Sequence, residues 1–590
     1  MIGGMERTED APGRGVVGSL ALMDGIGPFF RGVEKRRINW SKIPFGLLPV
    51  EGSECRSHWD RIREDLRTVA TRARGLGFTG LTLDDVAHLS DHPWLEASVR
   101  ARNGVFREEF SGLIADVRAA GLEVYLTADF VTASAAVEAR LGGRAERAAE
   151  WFAECAGEVL DQFPEVSGII LRIGESDAPD VTDLLRSRLY LRTARETNAM
   201  LRRVLPVFEE RKRHLIFRTW TVGAYLVGDL IWHRGRIARA LQGIRSPWFV
   251  VSMKYGESDF FRYLPLNRHF FRIDLPKIIE FQARREYEGA GEFPSFVGWD
   301  CERVAGELAG ASGVIGLSVW AQTGGWHGFR RLAFLQPEAR WIDLNTLTIL
   351  RVVRDGKTVE EAVAEFFGPE QASPAMELLR LSDEVIRRLF YVEEFARQKL
   401  FFRRVRIPPL IHVYWDSIFV HETVRKVLRH FVRDPEQALR EGEAAFGHFE
   451  RMAALADQLG FGQEDIDFMR DTAAVLLLAR RYFFLPDTPA LREELRRAKK
   501  KYKERWPKGR RPRYRIRIGF SEGEGRWNQR AFHWLLLLFV RRQRGYRHVV
   551  DRMFTLTVLS WIYRLFRARH QDAIPKFMKK TAMGLDTLFR

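Results

Sequence analysis

The chain has 590 residues, 46% hydrophobic and 29% charged, which is ordinary for a folded globular protein and unlike a disordered or fibrous one. Its net charge of +17 sits at one end: residues 491–590 hold 28 Lys and Arg against 8 Asp and Glu, so the first 490 residues are close to neutral. Three scattered cysteines, Cys55, Cys155 and Cys301, exclude a disulfide framework or a cysteine zinc site, and the longest clean apolar run, WLLLLFV (534–540), is far short of the ~20 residues of a membrane span.

The opening MIGGMERTEDAPGRG carries acidic residues and lacks a cationic start followed by an apolar core. No signal peptide is expected, and the expected location is the cytoplasm. Residues 1–54 read as an N-terminal extension. The stretch CRSHWDRIREDLRTVATRARGLG (55–77) then reads as an amphipathic helix stopped by Gly77, and FREEFSGLIADVRAAG (106–121) as another stopped by Gly121. Between and after them come short, nearly continuous apolar runs: GFTGLTLDDV (77–86), GLEVYLTADF (121–130), VSGIILRIGE (166–175), RHLIFRTWTV (213–222), WFVVSMKYGE (248–257), KIIEFQARRE (277–286), FPSFVGWD (293–300) and GVIGLSVWAQ (313–322). Runs apolar on both faces predict strands of a parallel sheet, and eight of them alternating with helices predict an α/β fold, a (β/α)8 TIM barrel over 55–345. The gap between the sixth and seventh runs is only 287–292, short for a parallel crossover. Beyond 345 the pattern is mainly α-helical: a helical domain over 346–500, then a basic helical C-terminal region over 501–590 that includes KKYKERWPKGRRPRYRIR (500–517).

The tetrapeptide GESD occurs at 174–177 and again at 256–259, each time just after a predicted strand. Barrel active sites lie at the C-terminal strand ends, so both copies place carboxylates at the expected mouth. Glu286, ending the 277–286 run, is a third. Paired carboxylates at a mouth suit glycoside hydrolysis, in which one protonates the departing oxygen and another activates water or attacks the sugar. Trp220, Trp299, Trp320 and Trp326 follow or end predicted strands, where an indole face suits a sugar's C–H surface. His88, His92 and His327 show no ligand spacing; no metal and no cofactor are expected, and the histidines read as surface or sugar-contacting residues.

Four segments, in order, resemble the α-glucuronidases of glycoside hydrolase family 67: LRIGESDAP (171–179), IFRTW (216–220), MKYGESDFF (253–261) and IEFQARREYEG (279–289). WHGF (326–329) and DLNTLTILRVVRDGKTVEEAVAEFFG (343–368) are similar to the family's later segments. The resemblance implies Glu175 as general acid, with Asp177 as its rival because the spacing to Pro179 is one residue longer than in the family. It implies Asp259 and Glu286 as the pair activating water, with inversion at the anomeric carbon. Arg172 and Arg218 would hold the sugar's carboxylate, with Lys254, Tyr255, Trp220, Trp299, Trp320, Trp326 and His327 as further substrate-binding residues. The implied partner is an acidic oligosaccharide; a homodimer is left open and nucleic acid is not expected. Beside this stands a different reading, a barrel without catalysis that binds carbohydrate or a polyanion through its basic C-terminal region.

Overall fold

The computed structural model describes residues 16–33, 42–174, 183–221, 235–322, 331–402, 405–507 and 511–520, with 230, 509, 540, 541, 561 and 565 besides. Eight parallel strands close into a barrel: β1 (Leu20–Asp24), β2 (Gly80–Asp84), β3 (Glu123–Asp129), β4 (Val166–Arg172), β5 (His214–Arg218), β6 (Phe249–Lys254), β7 (Lys277–Gln282) and β8 (Val314–Trp320). Neighbours follow chain order, and β1 closes the ring against β8 with Leu20 opposite Gly316. The outer layer includes α1 (Cys55–Leu76), α2 (Ala97–Ala119), α3 (Ala145–Gln162), α4 (Ala194–Arg211) and α5 (Gly298–Leu308).

Seven of the eight predicted strands are present, and two corrections go together. FPSFVGWD is no strand: residues 293–297 form a loop, and Gly298 already starts α5. Six intervening residues cannot cross back over a parallel sheet, so the run turns outward, where Asn345 accepts the Val297 N–H at 3.0 Å and donates to the carbonyls of Ala283 and Ser295. The missing strand is LALMD at 20–24, inside the stretch expected as an extension. The barrel thus begins at Leu20, not at residue 55.

Side chains alternate in and out along a strand, and the pairings around the ring match inward with inward positions, apart from register shifts at the starts of β3–β4 (Val124/Tyr125) and β7–β8 (Val314/Gly316). Leu22, Tyr125, Ile170, Ile216, Val250 and Ile278 form an apolar plug in the interior. Two or four residues further along these strands, and at the end of β2, the inward positions turn polar: Asp24, Asp84, Asp129, Arg172, Arg218, Ser252, Lys254, Glu280 and Gln282. The plug is the floor of the site and the polar layer its lining.

After the barrel come helices, among them α6 (Arg340–Ile349), α7 (Pro369–Val385), α8 (Pro435–Phe446), α9 (Glu464–Phe484) and α10 (Pro489–Arg505), with a small sheet in which β9 (Ser417–His421) pairs with β10 (Arg515–Gly519). α10 runs straight through the boundary expected at residue 500. Buried ion pairs tie this region to the barrel loops: Arg262 with Asp383 at 2.6 Å, Arg331 with Asp465 at 2.6 Å, and Arg511 with Glu292 at 2.9 Å. No described helix is long and apolar enough to cross a membrane.

Candidate active site

The strand ends divide the mouth by charge. β1, β2 and β3 end in Asp24, Asp84 and Asp129; β4, β5 and β6 end in Arg172, Arg218 and Lys254. Asp129 takes Arg172 Nε at 2.8 Å, the Lys42 ammonium and the Ser187 hydroxyl. Burial alone would raise its pKa, but the two cations and the hydroxyl outweigh that and hold it below the ordinary carboxylate range. Asp84 differs. It accepts one backbone N–H, from Ile43 at 2.6 Å, and burial pushes its pKa up to about 7 because Arg172 offsets only part of the desolvation. Asp24 accepts from the backbone N–H groups of Ala321 and Gln322, so it anchors the turn after β8.

On the cationic side, Arg218 lies over the Trp320 ring at 4.4 Å and donates to the fully buried Glu280 at 3.2 Å. Ser252 donates to the same carboxylate oxygen. Lys254 sits in an aromatic cage, its ammonium 4.7 Å from the Trp220 ring, 4.5 Å from Phe260 and 5.2 Å from Trp320. Gly174, the glycine of the first GESD, has to be small here: a Cβ would stand 2.6 Å from the Trp220 carbonyl.

The loop after β6 brings Asp259 back onto Lys254. Asp259 Oδ1 receives the Lys254 ammonium at 2.6 Å and the Phe260 N–H at 2.9 Å; Oδ2 receives the Tyr287 hydroxyl at 2.9 Å. Tyr287 follows Glu286 directly, and its ring stacks on Phe261 at 3.9 Å. Burial, then the charges of Asp259 and Glu286, hold the Tyr287 phenol well above its ordinary pKa, so it stays a donor. The same two carboxylates act on Tyr414. The structure therefore brings Asp259 and Glu286 together around Tyr287. Glu286 is fixed through its own backbone N–H, which Gln282 accepts at 2.8 Å.

Backbone strain gathers on these loops. Tyr263, Arg285, Ala290 and Trp415 are non-glycine residues with φ of 67, 53, 50 and 48 degrees, in the left-handed region. Each costs on the order of 1–3 kcal/mol and persists because its surroundings hold it. Arg285, next to Glu286, is held by Glu288 at 2.6 Å and Asp300 at 2.8 Å. Trp415 lies parallel to Tyr287 at 6.5 Å. Glu288, two residues beyond Glu286, points away into a buried network with Arg262, Arg285, Ser295 and Tyr391.

Of the residues expected from sequence, Arg172, Arg218, Trp220, Lys254, Asp259, Glu286 and Trp320 share this mouth. Glu175, Asp177, Trp326 and His327 lie outside the described residues. Two belong elsewhere. Tyr255 follows Lys254 by one, so its side chain faces outward from the barrel, where it is buried against Phe281 at 5.5 Å. Trp299 lies on α5, packed on Phe296 at 5.5 Å and under Arg380 at 5.9 Å. The histidines His88 and His92 are buried rather than on the surface, His88 beside Asp85 at 2.9 Å and Asp183 at 3.4 Å. The basic stretch at 500–517 spends its aromatics inward: Tyr502, Trp506 and Tyr514 are buried, and so is Arg511.

Sequence reasoning missed Asp84, Asp129, Glu280, Tyr287 and Tyr414. The first two ended predicted strands as TLDD and LTAD, so the strand-end rule already applied to them. Among the described residues no three His, Cys, Asp or Glu side chains are placed to hold a metal ion. Buried polar atoms at the mouth without a partner among the described residues are Glu280 Oε2, Gln282 Nε2, Trp320 Nε1 and Gln322 Nε2. A ligand rich in hydroxyl and carboxylate oxygens complements that set of donors and acceptor.

No family model and no curated protein matches the chain. Among solved structures it is similar to a GH138 enzyme targeting pectin rhamnogalacturonan II, with 12% identity and a TM-score of 0.49 over 83% of this chain; the alignment spans 62% of that enzyme. It is also similar to CpGH84B, with 9% identity and a TM-score of 0.39 over 83% of this chain and 74% of the other. A third is a variant of an O-GlcNAc hydrolase from Thermobaculum terrenum, with 11% identity and a TM-score of 0.38 over 86% of this chain and 93% of the other.

Proposed function

We propose that the chain is a glycoside hydrolase that releases a uronic acid, of the α-linked glucuronic type, from an oligosaccharide, with inversion at the anomeric carbon. The observation that carries this is the pairing of Asp259 and Glu286 around Tyr287, directly beside a wall of Arg218, Lys254, Trp220 and Trp320. Guanidinium and ammonium groups fit a sugar carboxylate, and indoles fit its C–H faces.

In this reading Glu175 gives its proton to the glycosidic oxygen as the bond from that oxygen to the anomeric carbon breaks. A water attacks the same carbon from the opposite face and its proton passes to Glu286. Inversion needs the acid and base ~6.5–9.5 Å apart, leaving room for that water. Asp259 has three donors on its two oxygens, so it is the fixed anion that orients the water and Glu286 is the base. Glu280, in the polar layer of the lining, holds Arg218 in place.

The test is a screen of purified protein against α-linked uronosyl oligosaccharides, with proton NMR following the anomer released first. Inverted product, lost in Glu286→Gln, is the expected result. Retained configuration would end the inverting mechanism, and no hydrolysis of any uronoside would end the substrate assignment.

A further inference from the structure

The second GESD holds a carboxylate that the proposed reaction does not use. Glu257 lies on the loop after β6, two residues before Asp259, and is buried. Two cations pair with it and a third acts on it by charge alone. Lys399 reaches it at 2.5 Å and Arg268 at 3.3 Å, and Arg406 lies close enough to feel its charge. Arg406 is the unusual member. It is 4% exposed, yet its Nε and Nη1 have no hydrogen-bond partner among the described residues. Its guanidinium carbon lies over the Phe401 ring at 5.3 Å. Burial pulls its pKa down to about 10, with Glu257 acting against that shift. A buried guanidinium without hydrogen bonds is costly, and one carboxylate cannot balance three cations. Lys399 and Arg268 are about half exposed, so an anion can reach the cluster from solvent.

We propose that Arg406, Lys399 and Arg268, gathered around Glu257, form a second anion subsite that takes a carboxylate of an acidic oligosaccharide, beyond the sugar held at the barrel mouth. Glu257 keeps the three cations from repelling one another, and the ligand carboxylate, met at the surface by Lys399 and Arg268, adds negative charge beside Arg406. The ligand's identity rests on the uronosidase reading; the anion site itself does not. The loop between β6 and Asp259 would then read two neighbouring acidic sugars, one through Lys254 and one through the cluster on Glu257.

The experiment is calorimetric titration of the full chain with sodium sulfate and with trigalacturonate, in the wild type, Arg406→Gln, Lys399→Met and Trp220→Ala. Sulfate affinity should fall at least ~10-fold in Arg406→Gln and Lys399→Met and hold in Trp220→Ala, as expected for a lost charge-assisted hydrogen bond. Trigalacturonate affinity should fall in all three. No sulfate binding, or sulfate binding indifferent to both cluster variants, overturns the subsite. Should Arg406→Gln fail to fold, the half-exposed Lys399→Met decides alone. Trigalacturonate binding that depends on Arg406 and Lys399 but not on Trp220 supports the subsite while counting against the hydrolase reading of the mouth.

Discussion

Tyr287 donates its hydroxyl to Asp259 across 2.9 Å while its chain neighbour Glu286 presses on the same phenol by charge. The same ring is stacked on Phe261. Tyr287→Phe keeps the ring and removes only the donor. Uronoside turnover should fall ~10-fold with KM little changed, the scale of one hydrogen bond to a charged group. Unaltered kcat would show that the hydroxyl plays no part in placing Asp259.

Lys254 binds Asp259 from within three aromatic rings. Lys254→Met fills the same cage with an apolar chain, leaving packing intact but Asp259 without its strongest donor. The expected loss in kcat/KM is ~10²-fold or more, since both the carboxylate and the substrate's anion lose a charge partner. Lys254→Arg should not rescue it, because a planar fork does not fit a cage built around an ammonium. Equal activity in Lys254→Met and wild type would refute the arrangement.

Glu288 carries the architecture rather than the chemistry. It is buried between Arg262 and Arg285 and accepts from Ser295 and Tyr391. The arginines overcome a strong desolvation penalty and hold its pKa far below the usual range. Glu288→Gln leaves two buried guanidinium groups short of charge and should cost ~3–5 kcal/mol in denaturant unfolding. A change under ~1 kcal/mol would mean that the network is solvated in solution.

How much of this was legible in the sequence depends on the range of each signal. Seven strands stood out because a strand buried on both faces is a local apolar run. LALMD was lost because five residues in a glycine-rich context make a weak run, and its pairing with β8 spans almost the whole barrel. FPSFVGWD has the composition of a strand, and only the six-residue gap before it argues otherwise. The strand-end rule points to the second GESD and to Glu286, and the family resemblance singles out Asp259. Tyr255 was misplaced by neglect of alternation: if Lys254 points inward, the next residue cannot. Tyr414 and Trp415 reach the mouth from more than a hundred residues away, and no local pattern announces that.

His88 should set the alkaline limit of stability. Burial works against its charge, but Asp85 and Asp183 outweigh that and raise its pKa from 6.5 to about 9. A histidine with a raised folded-state pKa contributes stability that is complete below ~6.5 and lost as pH rises through about 9. The shift corresponds to at most ~3 kcal/mol. The melting temperature should fall between pH 6.5 and 9.5, and His88→Gln should flatten that slope. An equally steep decline in the variant would assign it to other groups.

Asp84 runs the other way. Its folded-state pKa is raised to about 7, so between its unfolded value of 3.8 and about 7 the folded chain holds a proton that the unfolded chain releases. Stability therefore falls across that window, by up to ~1.4 kcal/mol per pH unit. Above pH 7 a charge stands buried at the mouth with one backbone N–H and a partial share of Arg172. Asp84→Asn keeps an oxygen to accept from Ile43 and removes that charge. The variant should match the wild type near pH 4 and melt higher at pH 8. A variant no more stable than wild type at pH 8 would mean that Arg172 already neutralises Asp84.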